Sequence, residues 1–148
     1  MDGAGSRDAL LRGSVRVHWT QRFPERAKPQ IVDIVTRLAD LWGFADYEVH
    51  VNLKCPKDSF AEVNVLREAK AIWLQLDRRR LEPDLLERDL YHELLHVPMW
   101  ELFNALETMI ALVPKDRRRA ATKMVEEAFE NSHETMAQLW MRALGRPQ

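Results

Sequence analysis

Within five residues, His92-Glu93-Leu94-Leu95-His96 supplies two imidazoles and a carboxylate. On an α-helix, residues four apart share a face, so His92 and His96 can turn ring nitrogens toward one metal ion. Glu93 lies one step round the helix, near enough to reach a water on that metal without being a ligand. Two neutral nitrogen donors, an open coordination position and a nearby carboxylate are what a zinc hydrolase requires. Zn2+, one ion per chain, is the expected cofactor. A motif this short takes its weight from its flanks. The plain alternative is a pair of core-edge histidines that bind nothing.

The flanks read as the helix the motif needs. Pro83 stands near a first turn, Asp84 and Glu87 suit the positive end of a helix dipole, and Leu86, Leu90 and Leu94 keep helical spacing. Pro98 is expected to stop or kink this helix just past His96. Further upstream, Pro24 is expected to open a helix carrying Ile31, Ile34, Val35, Leu38, Leu41 and Trp42, with Gly43 closing it. The period then falls to two. Tyr47, Val49, Val51 and Leu53, then Ala61, Val63 and Val65, then the more apolar segment 69–77, read as three strands of a small, mainly antiparallel sheet. Val15 to Trp19 has some strand character, but residues 1–22 read as a loose lead-in. Arg78-Arg79-Arg80 reads as a solvated turn. Beyond the motif helix, a separate helix near 100–112 and a long one from about 116 to 144 are expected. An N-terminal helix, a small sheet and then helices make the expected class α+β, one domain across 1–148.

Composition narrows the function classes. Lys plus Arg number 22 against 23 for Asp plus Glu, which gives no electrostatic footprint for nucleic acid or an anionic membrane. Cys55 is the only cysteine, so neither an internal disulfide nor a two-thiolate zinc site is available. No apolar run approaches a signal sequence or a span, and a cytoplasmic location is expected. Any metal site must then be built from histidine and carboxylate.

A catalytic zinc site wants a third protein ligand. Val97-Pro98-Met99-Trp100 follows the motif, which excludes the class in which Gly and a third His come at once. The last helix offers Glu126, Glu127, Glu130, His133 and Glu134. Together with the strand-rich segment before the motif, Glu134-Thr135-Met136-Ala137-Gln138-Leu139-Trp140-Met141 resembles the second motif of the minimal gluzincin-type metallopeptidases. These small zinc domains are common in phage and prophage genomes and related in plan to the ImmA/IrrE group. The resemblance covers about residues 45 to 145. It implies a Glu as third ligand, followed three, six and seven positions later by small or apolar residues. From Glu134 those are Ala137, Trp140 and Met141, which fit; from Glu130 the fit is partial, and from Glu127 it fails. The expected ligands are therefore His92, His96 and Glu134. The strongest apolar stripe of the helix is read through Val125, Ala128, Ser132, Met136, Leu139 and Ala143, with His133 at its edge, so His133 is the main rival. It would make an all-histidine site like that of SprT-type proteases.

From these parts the expected activity is zinc-dependent hydrolysis of peptide bonds, with Glu93 as general base and a peptide or protein as substrate. The resemblance implies that the substrate lies along the edge strand of the sheet. The alternative function is a catalytically inactive zinc-binding interaction module. Tyr91 reads as a packed aromatic, the five tryptophans as core and interface anchors, His18 and His50 as surface positions, and Cys55 as an idle thiol. The oligomeric state is left open by the sequence.

Overall fold

A computed structural model describes residues 15–144 of the chain. The elements run β1 (Arg16–Trp19), α1 (Lys28–Trp42), β2 (Glu48–Asn52), β3 (Ala61–Leu66), β4 (Ala71–Leu76), α2 (Pro83–Ala111) and α3 (Lys115–Leu144), with a short 3-10 turn at Arg78–Arg80. The fold is α+β, as expected. Most of the expected lead-in, residues 1–14, lies outside the described residues, but its last part is a strand.

The sheet is the first correction. It has four strands in the order β1-β2-β4-β3, and it is mixed. β1 pairs parallel with β2, β2 pairs parallel with β4, and only β3 and β4 form an antiparallel pair. The reason lies in α1, which carries the chain back across the sheet so that β2 runs in the direction of β1. β3 and β4 are joined by a tight turn in which Lys70 takes a φ of 48°. β3 is left at the edge, with one side of its backbone unpaired by the sheet.

Alternation puts Val49 and Val51 of β2, and Ile72, Leu74 and Leu76 of β4, into the core. Against them pack Ile31, Ile34, Val35 and Leu38 of α1 and Leu86, Leu90, Leu94 and Leu95 of α2. Leu90 and Leu94 have no exposed surface, so the motif helix is anchored by its own leucines. α1 begins at Lys28 and not at Pro24. Pro29 fits the first turn because it lacks the N–H that a first turn leaves unbonded. Gly43, at φ 78°, ends the helix with its N–H on the Ala39 carbonyl at 3.0 Å.

Two further expectations change. α2 runs unbroken through Pro98 to Ala111, so there is no separate helix near 100–112. An internal proline costs about 3 kcal/mol in an isolated helix, and the packing of α2 along α3 offsets it. Nor is the arginine run fully solvated. Asp77 caps the 3-10 turn through the Arg79 N–H, and Arg80 reaches Asp89 of α2 through two hydrogen bonds of 2.8 Å. That half-buried pair pins the first turns of α2 to the end of β4. Between Pro98 and Ala128 no residue is buried: past Met99 and Trp100, which still pack against the core, this stretch is an exposed helical hairpin.

Candidate metal centre

The site forms where α3 crosses the motif turn of α2. The face of α3 that packs inward carries Phe129, His133 and Ala137, each four residues from the next, with Met136, Trp140 and Met141 beside them. This corrects the stripe read from the sequence, since Ala128, Ser132, Leu139 and Ala143 are exposed. His133 is thereby buried, at 1% exposure, against His92 and His96. Phe129, His133 and Ala137 at four-residue intervals were the signal, and the more conspicuous leucine and methionine positions obscured it.

Among the described residues, His92, His96 and His133 are the group whose ligand atoms converge, one nitrogen from each lying within 4.8 Å of the others. The His96 and His133 rings stack with centroids 3.8 Å apart, and His92 stands edge-on to both. Hydrogen bonds on the outer nitrogens fix how two of the rings point. His133 donates from Nε2 to the His92 carbonyl oxygen at 2.6 Å. Its Nδ1 is then a bare lone pair, buried, with no hydrogen-bond partner. His92 donates from Nδ1 to Glu134 Oε2 at 2.8 Å, which turns its Nε2 toward the centre.

A buried acceptor without a partner is costly unless something binds it. Three imidazoles, two of them held through the far nitrogen by a carbonyl or a carboxylate, are a donor set suited to zinc and similar divalent metals. The residues fit such an ion. Of the expected ligands, then, His92 and His96 come together. Glu134 sits on the outer nitrogen of His92, where Arg88 at 3.2 Å and Gln138 at 2.9 Å also hold it. His133 is the third residue of the cluster.

Three more carboxylates shape the surroundings. Glu93 is buried, with Oε1 4.0 Å from His92 Nε2. Glu130 lies one turn before His133, with Oε2 3.4 Å from His92 Nε2 and Oε1 3.9 Å from His96 Nε2. Asp89 is engaged by Arg80. Burial pushes the Glu93 carboxyl up to about 8, against the pull of His92. Contact with Glu130 raises His92 to about 9 in spite of its burial, with help from Glu93 and Glu134. Burial, reinforced by His133, drives His96 down to about 4, and burial also lowers His133.

A cleft of about 370 Å³ opens over the centre between β3 and α2, large enough for a side chain or two of a bound peptide. Ala61, Glu62 and Val63 of β3 form one wall, and Trp100 and Phe103 form an apolar end. The cleft continues past Glu93 and Glu130 toward Phe60 and Arg88.

The other conspicuous residues fall elsewhere. Tyr91 is fully buried and edge-on to Trp42, as a packed aromatic should be. His18 and His50 stack on one another, and His50 on the exposed Trp73, across the sheet face. Cys55 donates to the Ser59 carbonyl, and burial raises its thiol to about 11. No helix of the described residues is long and apolar enough to cross a membrane. The chain matches no family model, no curated protein and no solved structure, so the likeness to gluzincin-type domains rests on its residues alone.

Proposed function

We propose that this chain is a zinc-dependent metallopeptidase, with His92, His96 and His133 holding the ion and Glu93 as general base. The observation that carries the reading is Glu93 itself, a carboxylate 9% exposed, beside the inward nitrogen of His92 and on the wall of an open cleft. A site that merely fixed two helices would have no use for a carboxylate there.

Zinc in this site would supply Lewis-acid polarisation of a water and of the scissile carbonyl. Glu93 takes the proton of the attacking water and returns it to the departing amine. Glu93 lines the cleft over the histidines, where a carboxylate can both accept and release a proton beside the reacting carbonyl. Glu134 keeps His92 in the tautomer that offers Nε2 inward, and the His92 carbonyl does the same for His133 Nδ1. β3, as an edge strand, offers its backbone to an extended peptide. Trp100 and Phe103 would receive an apolar side chain next to the scissile bond.

A metal-binding module without hydrolysis is the second reading. One observation favours it: the Glu130 carboxylate lies 3.4 Å from His92 Nε2 and 3.9 Å from His96 Nε2, near enough to serve as a fourth ligand. Glu93→Gln separates the two. In a metallopeptidase that variant keeps its zinc and loses about 10²- to 10⁴-fold in turnover on a peptide library, the size of general-base effects. Unchanged hydrolysis by Glu93→Gln would remove Glu93 from the mechanism.

A further inference from the structure

We propose that Glu130 is a fourth, displaceable protein ligand that closes the metal centre until a substrate enters the cleft. The inference rests on the three-histidine reading above. Donors that share a zinc ion, each bonded at about 2.0–2.2 Å in tetrahedral geometry, stand roughly 3.3–3.6 Å apart. The Glu130 oxygens lie 3.4 Å from His92 Nε2 and 3.9 Å from His96 Nε2, close to that spacing, so the carboxylate faces the inward nitrogens of these two rings and a short side-chain movement would bring it onto a shared ion. Its place three residues before His133 puts both on one face of α3.

The same residue is built to leave. Its side chain is 55% exposed, whereas those of His92 and His96 are 20% and 19% exposed. Its only ion-pair partners among the described residues are those two rings. Glu134, by contrast, is held by Arg88, Gln138 and His92 at once. Glu130 also stands where the two stretches of the cleft meet. The closed arrangement has four protein ligands, as structural zinc sites do, and the open one has three, as catalytic sites do. One centre would thus alternate between the two readings given above, and the cleft's occupant would set which holds.

The test uses the full chain loaded with Co2+ and the small chelating probe acetohydroxamate, so that no turnover is needed. Wild type, Glu130→Ala and the control Glu127→Ala, an exposed position one turn earlier on α3, are titrated and followed by visible absorption. The expected result is a changed spectrum before titration and about tenfold tighter acetohydroxamate binding in Glu130→Ala alone, the order of effect that ligand-sphere changes bring. Identical spectra and dissociation constants in all three proteins would overturn the proposal while leaving the three-histidine centre standing. Failure of the wild type to take up one Co2+ per chain would bring down both.

Discussion

Glu134 Oε2 lies 2.8 Å from Nδ1 of His92, on the ring nitrogen that cannot serve the centre while Nε2 does. This contact explains how a residue can carry the family-like pattern and still stand outside the three-histidine cluster. A carboxylate behind an imidazole fixes its tautomer and makes its other nitrogen a better donor. With the His92 carbonyl doing the same for His133, α2 and α3 orient each other's histidines. The centre is therefore a joint between two helices.

Removing that support should weaken the centre without abolishing it. Glu134→Ala is expected to lower zinc affinity by about 10- to 100-fold, the usual cost of losing such a partner, with the ion still bound stoichiometrically at saturating zinc. Competition with a chromogenic chelator measures it. Complete loss of binding would make Glu134 a ligand after all.

The sign of the pH response follows from His92 and His96. In protein stripped of metal, His92 is raised to about 9, so its contribution to stability is full below about 6.5 and disappears as pH climbs toward 9. His96 is lowered to about 4; its contribution is full above 6.5 and lost as pH falls toward 4. Metal binding needs both rings neutral. At pH 7, zinc must therefore displace the His92 proton, and affinity should rise from pH 7 to 9. Calorimetry in buffers of different ionisation enthalpy should find about one proton released from His92, and more if Glu93 also ionises. Binding that released none at pH 7, or weakened toward pH 9, would contradict this account of His92.

The Arg80–Asp89 pair is a structural device with a measurable cost. Asp89 is 8% exposed and meets Arg80 through two 2.8 Å bonds. Arg80→Ala strands a buried carboxylate and should destabilise the protein by about 3 kcal/mol. Arg79→Ala, whose side chain is 77% exposed, should cost less than about 1 kcal/mol. Equal midpoints for the two variants in urea would show that the pair does not anchor α2.

Much of this fold is legible in the sequence. The motif helix, the three later strands and the long last helix follow from apolar spacing, because leucines at helical intervals and β-branched residues at alternate positions have few other solutions. Three things were not legible. The parallel partnership of β1 with β2 depends on where α1 returns the chain, which no local pattern records. Pro98 signals a break that packing overrides. The face that buries His133 is the third: a histidine counts as polar in any apolar pattern, so His133 reads only as the rival to Glu134, yet Phe129 and Ala137 on either side of it mark the buried face. Reading that face as ending at the histidine, and not passing through it, made Glu134 the more natural ligand.

The most direct test of the account is the metal content of untagged protein purified without added metal, for the wild type and for His133→Phe. One zinc per chain in the wild type and none in the variant, with the variant still folded by circular dichroism, is the predicted result. A wild type that stays empty even when zinc is offered, or a variant that keeps a full equivalent, would contradict the three-histidine centre.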